Sequence, residues 1–130
     1  MSQTFAKEER LSKKVLIKKL FEEGQKRFIF PFRVTLLKCP VPSDYPVQLL
    51  ISVPRSQFRK ATDRNKIKRM IREAYRTNKH ILYDSLAERH EQMMICIHYT
   101  PKEIHSFQMI REKIIVLLQR LKEENAKSTG

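Results

Sequence analysis

The stretch from Asp63 to Arg76 reads DRNKIKRMIREAYR, and six of its fourteen residues are Lys or Arg. Guanidiniums fork onto phosphate oxygens and ammonium groups act as point charges, so this is chemistry suited to a polyanion. Asn65, set among the cations, is equipped to bond a ribose hydroxyl, a base edge or a backbone group. With Arg64 at 0° and about 100° per residue, Ile67, Met70, Ile71 and Ala74 occupy an arc of roughly 240° to 340°. Arg64, Lys68, Arg69, Arg72, Arg76 and Lys79 fall between roughly 0° and 140°, with Asn65 among them and Lys66 outside. One face therefore docks on a core and the other is a cationic strip. A merely solvated helix interleaves acids four residues from bases. Here like charges stack at 64/68, 68/72 and 72/76, each pair costing about a few tenths of a kcal/mol in the free protein. A polyanion relieves that repulsion.

The surplus extends past the helix. The chain carries 27 Lys+Arg against 14 Asp+Glu, a net charge of +13 over 130 residues. From Arg55 to Lys79 ten cations face two acids, so +8 of that charge lies in 25 residues. A small domain needs far less for solubility, which points to a polyanionic partner, either nucleic acid or an anionic membrane. The length fits one domain over residues 1–130 with flexible termini. No apolar run approaches the roughly 20 residues a bilayer span needs, and the charged start has no apolar signal core. A cytoplasmic protein without a membrane partner is expected. Cys39 and Cys96 are far apart, and His80, His90, His98 and His105 form no zinc-type spacing, so no protein-held metal is expected. No paired carboxylates or activated nucleophile stand out, so no catalytic side chain is assigned.

These residues must be positioned by a small set of elements. Residues 1–10 read as a mobile or extended arm. Residues 12–23 predict a helix capped by Ser12 and ended by Gly24 in the left-handed conformation. RFIFPFRVTLLK (27–38) predicts one strand interrupted at Pro31, and VQLLISV (47–53) a central one. A basic connection leads to the helix from about Thr62 to Lys79, with a short helical piece at 81–89. QMMICIHY (92–99) is a third strand, and Ser106 caps a last helix to about Lys122 with Phe107, Ile110, Ile114, Leu117, Leu118 and Leu121 on its apolar stripe. The tail ENAKSTG is expected to be disordered. The order predicts an α/β (α+β) two-layer sandwich, a small sheet packed by helices.

Alternation places Phe28, Phe30 and Phe32 on one strand face, near Phe21 of the first helix. Most such aromatics are core; a face that stacks on single-stranded nucleic acid is the alternative, flanked by Lys26, Arg27, Arg33 and Lys38. A helix-turn-helix DNA reader needs a second helix just before the basic one, where this chain has VQLLISV and a loop. RNA suits the pattern better.

Arg64-Asn65-Lys66-Ile67-Lys68-Arg69 followed by Arg72 resembles the RNRxKRxxR signature of the bacterial ribonuclease P protein family. ERLSKKVLIKKLFEEG (9–24) is similar to that family's first helix, and LISVPRSQFRKATDRN (50–65) to its approach to the motif. The resemblance spans about residues 5–122. Lys66 stands where the family usually has Arg, and Pro54 and Ser56 interrupt a Ser-Lys-Lys run, leaving Arg55 as its clearest cation. Thr35 replaces an aromatic found in some members.

The resemblance implies a ribosomal-protein-like fold with a mixed sheet and a left-handed βαβ crossover. It implies a subunit of the endonuclease that removes the 5′ leader of precursor tRNA, with catalysis by the RNA subunit and Mg2+ held mainly by that RNA. The implied partners are the RNase P catalytic RNA and precursor tRNA, with no obligate protein partner. Arg64, Asn65, Lys66, Lys68, Arg69, Arg72 and Arg76 would face RNA. Ile17, Phe21 and Phe32 would line a leader cleft, with Arg55 and Arg59 on its phosphates. The competing readings are a ribosomal-type structural RNA-binding protein and, with less support, a DNA-binding regulator.

Overall fold

Alternation sorts each strand's side chains to two faces, and the computed structural model, which describes residues 4–128, shows what covers each. The four strands are β1 (Gln25–Ile29), β2 (Phe32–Lys38), β3 (Val47–Ser52) and β4 (Met93–Tyr99), in the sheet order β1-β2-β4-β3. β1 and β4 run antiparallel to β2, and β3 runs parallel to β4. The parallel pair is joined by two helices, α2 (Ala61–Asn78) and α3 (His80–Glu88), because parallel neighbours need a long crossover. The flanking helices are α1 (Lys14–Glu23) and α4 (Phe107–Ser128). The expected mixed sandwich of sheet and helices is present.

Phe32, Val34, Val47, Leu49, Met93, Ile95, Ile97 and Tyr99 form one face and join Ile67, Ile71, Ala74, Tyr75, Leu82, Leu86, Ile114, Leu117 and Leu118 in the main core. Met94 and Cys96 point the other way, into a smaller cluster with Leu20 of α1, Leu11 and Val41. β4 is buried on both faces, which explains why MMICIHY reads as a nearly continuous apolar run. Each such fully buried side chain contributes about 1.5–3 kcal/mol relative to exposure.

Several expectations change. Residues 27–38 form a hairpin rather than one strand: Phe30-Pro31 makes the turn and Ile29 pairs with Phe32. The aromatic and β-branched run suits either geometry, and the proline marks where the chain reverses. α1 starts after Lys13 with no side-chain cap, so Ser12 does not serve. Gly24 has φ −73° and ψ 158°, not the left-handed conformation. Its requirement is proximity: a Cβ there would run into the Leu20 carbonyl oxygen and lie 2.9 Å from Thr35 Cγ2. Ser106 does cap α4, its Oγ accepting from Met109 N at 3.2 Å. Phe107 is exposed at the head of the apolar stripe. α4 continues through Ser128, so the start of the tail is helical, with Asn125 buried and Glu124 paired to Arg27 at 2.7 Å. Residues 129–130 lie outside the described residues.

Residues 4–10 of the N-terminal arm pack against the fold; residues 1–3 lie outside the described residues. Lys7–Glu9 make a 3-10 turn, Arg10 bridges Leu49 in parallel, and Leu11 N donates to Leu49 O at 2.9 Å. β3, expected to be central, is therefore the edge strand of the sheet; its apolar run reflects cover on both faces, with the arm lying along its outer edge. Among the described residues, no helix is long and apolar enough to cross a membrane.

Candidate nucleic-acid interface

α2 buries Ile67, Ile71, Ala74 and Tyr75, and turns its basic residues outward. Asn65, Lys66 and Arg69 are exposed, while Arg64, Lys68, Arg72 and Arg76 are half-buried at the margins. Tyr75 widens the buried stripe to about 20° on the helical wheel, beyond the arc the apolar residues alone define. That shift has a clear consequence at the end of the strip. Lys79 is not on the cationic face: it is buried, and its Nζ donates to Glu9 Oε1 at 2.7 Å. Tyr83 OH donates to the same oxygen at 2.8 Å, Ala6 N to Glu9 Oε2 at 2.6 Å, and the Tyr75 and Tyr83 hydroxyls lie 2.8 Å apart.

The remaining cations divide by what holds them. Arg64 Nη1 donates to Phe58 O at 2.7 Å and Arg59 O at 3.0 Å, so one nitrogen of its fork ties the basic loop to α2. Phe58 anchors that loop in the core against Tyr99, leaving Arg55, Arg59 and Lys60 exposed. Arg76 pairs with Glu73 on the surface, an i,i+3 contact of small energetic consequence. Arg72 carries a buried Nε with no hydrogen-bond partner. Burial, then the charges of Arg10 and Arg69, pull its guanidinium below the ordinary range.

A second surface lies on the sheet face that α1 covers. α1 packs over Met94, Cys96, Leu37 and Leu50, with Leu16 and Ile17 half-buried in that contact. One row farther along, strand register sets Phe28 opposite Arg33, Arg33 opposite His98, and His98 opposite Ser52. This row crosses all four strands on one face. Phe21 on α1 and Phe28 on β1 are exposed, 47% and 60%. Phe32 is withdrawn from the expected leader cleft: it is fully buried on the opposite face, because the hairpin pairs it with Ile29. The expected flanking cations also disperse. Arg27 pairs with Glu124 and Lys38 with Glu91, whereas Arg33 sits in the row.

His98 Nδ1 lies 3.0 Å from Ser52 Oγ. Burial first, and the Arg33 charge second, hold this imidazole below its usual value of 6.5. An unfolded chain takes up the proton near 6.5, and the folded one takes it up at lower pH. The stability His98 contributes is therefore fully present above about 6.5 and is lost as pH falls through the folded value. An NMR titration should give a His98 midpoint below that of a free peptide; a midpoint at or above it contradicts the burial argument. Sequence reading passed over His98 as a site residue, although a lone polar group in an apolar strand was its signal. It also passed over Arg10, which only the packed arm brings near α2.

Burial pushes the Cys96 thiol up to about 11, which leaves little thiolate at neutral pH. Among the described residues, no group of three or more His, Cys, Asp or Glu is placed to hold a metal ion.

Comparison with known proteins identifies the family. The Ribonuclease P family model matches residues 5–122. The ribonuclease P protein component of Porphyromonas gingivalis is 34% identical over 119 residues, covering 89% of this chain and 85% of its own length. The RNase P protein from Thermotoga maritima superposes with a TM-score of 0.69 at 31% identity, covering 86% of this chain and 96% of that one. The Staphylococcus aureus RNase P protein, at 23% identity and a TM-score of 0.68 over 88% of this chain and 95% of its own, shares the fold. The chain belongs to the bacterial ribonuclease P protein family, the protein component of the endoribonuclease that matures tRNA 5′ ends.

Proposed function

We propose that the chain acts as one cytoplasmic domain that docks the basic face of α2 on the RNase P catalytic RNA and offers the α1–sheet face to the 5′ leader of precursor tRNA. The observation that carries this reading is the one-sided cationic surface of α2 within a member of this family. Asn65, Lys66, Lys68, Arg69 and Arg72 are the contacts proposed for the RNA subunit. Arg64 shares that role with its brace to the loop, and Arg76 contributes after its exchange of Glu73 for phosphate. Ile17 and Phe21 border the proposed leader path, Arg33 and His98 lie in its floor, and Arg55 and Arg59 reach its phosphates from the loop.

The holoenzyme's Mg2+ would be held mainly by RNA. The described side chains offer no cluster for it, so no step is assigned to a metal on the protein. The protein's contribution is neutralisation of phosphate repulsion where two RNAs meet, and stacking under an unpaired strand.

Reconstitution tests this. Purified protein, a bacterial RNase P RNA and end-labelled precursor tRNA are combined at physiological Mg2+. Protein alone should be inert, and protein with RNA should release the leader faster than RNA alone. Binding without any change in cleavage would instead favour the ribosomal-type reading.

A further inference from the structure

We propose that Arg10, Arg69 and Arg72 form one subsite for a backbone phosphate of the RNA, completed by the N-terminal arm and held in place by the buried Glu9–Lys79 pair. The proposal rests on the reading of α2 as an RNA-docking face, and it adds a segment 50 or more residues away in the chain.

The arm's path is fixed at several points. The Arg10 backbone is bridged to Leu49 on the β3 edge, and Gln48 Nε2 donates to Glu8 O at 3.1 Å. The Arg10 guanidinium lies 5.5 Å from the centre of the Phe5 ring. That ring meets Tyr75 edge-on at 5.9 Å, and Tyr75 is buried one turn along α2 from Arg72. Stacking of this kind orients a guanidinium while leaving its edge donors for another acceptor. Arg69 and Arg72 are three residues apart and therefore share a helix face. The Phe5–Tyr75 contact thus brings Arg10 from the arm to the side of α2 that carries Arg69 and Arg72, and both of those neighbours' charges add to burial in lowering the Arg72 guanidinium.

Such an assembly is unfavourable in the free protein. Its like charges repel, and burial partly desolvates the Arg72 guanidinium. A phosphodiester supplies negative charge and acceptor oxygens together, matching fork-shaped donors. The arm that carries Arg10 is tied to the end of α2 by an ion pair. Glu9 and Lys79 side chains are 0% and 3% exposed, and Glu9 adjoins Arg10 in sequence. A buried pair adds little net stability but demands one geometry, here the arm's seat against α2. Prepaying that order favours binding.

The test is the salt dependence of binding between full-length protein and RNase P RNA. It compares the wild type with Arg10→Ala, Arg10→Lys, Arg69→Ala, the double Ala variant, and Lys122→Ala as an exposed control on α4. Arg10→Ala should weaken binding about three- to tenfold near 0.1 M salt and flatten the log–log salt slope by about one. Arg10→Lys should fall between, because charge survives and the fork does not. The Arg10 effect should shrink in the Arg69→Ala background, since both serve one phosphate. Arg69→Ala effective with Arg10→Ala silent overturns the subsite and leaves the α2 reading intact. Both silent overturns that reading as well. Fully additive losses would mean separate phosphates and also overturn the shared subsite. Circular dichroism on each variant separates lost contacts from lost fold.

Discussion

Lys79→Met lowers the unfolding free energy by about 3–5 kcal/mol, although the helical wheel puts Lys79 on the outward cationic strip. The side chain is 3% exposed and meets a Glu9 carboxylate that is 0% exposed. Removing the ammonium strands that carboxylate in the interior. Donors from Tyr83 OH and Ala6 N remain, at 2.8 and 2.6 Å, but they do not neutralise its charge. Adding Glu9→Leu to Lys79→Met should restore most of the loss, because an apolar pair has no desolvation cost, while Tyr83 OH keeps its Tyr75 partner. Urea denaturation of the two variants measures this. A loss under about 0.5 kcal/mol for the single variant, typical of a surface lysine, would contradict the buried pair.

The second large effect separates two phenylalanines eleven residues apart in the chain. Phe32→Ala should cost about 3–5 kcal/mol of stability, because a fully buried ring beside Tyr99 leaves a cavity in the main core. Phe21→Ala should stay within about 1 kcal/mol, since the ring is 47% exposed on α1. Its expected cost falls on the proposed leader contact instead, about 1–3 kcal/mol if one base stacks there. Holoenzyme binding to tRNA with and without the leader gives the second readout, and urea melts the first. Equal loss of leader affinity in both variants at matched folded fraction would remove Phe21 from the leader path.

Helical and strand periodicity made much of the molecule legible. The stripe through Ile67, Ile71 and Ala74 placed α2 and its basic face, and continuous apolar runs marked β3 and β4 as strands, although the run of β3 suggested a central strand where the sheet has an edge covered by the arm. The same local patterns left the hairpin hidden, since RFIFPFRVTLLK satisfies an extended backbone whether or not it reverses at Pro31. That reversal then decided which aromatic is core: Phe32 pairs with Ile29 and faces α2–α4, while Phe28 pairs with Arg33 and stays outside. α1's packing on the other face leaves the Phe28–Arg33–His98–Ser52 row one step beyond its cover.

By itself, then, the sequence determined the charge, the one-sided basic helix, the main elements and, through RNKIKRMIR, the family. Tertiary structure alone decided that Lys79 is a core cation, that the arm is part of the fold, and that Arg10 stacks on a ring packed against α2. The physical reason is range. Periodicity reports how a segment could bury one face, but the burial of a given side chain depends on what arrives from elsewhere, and Glu9 reaches Lys79 from 70 residues away.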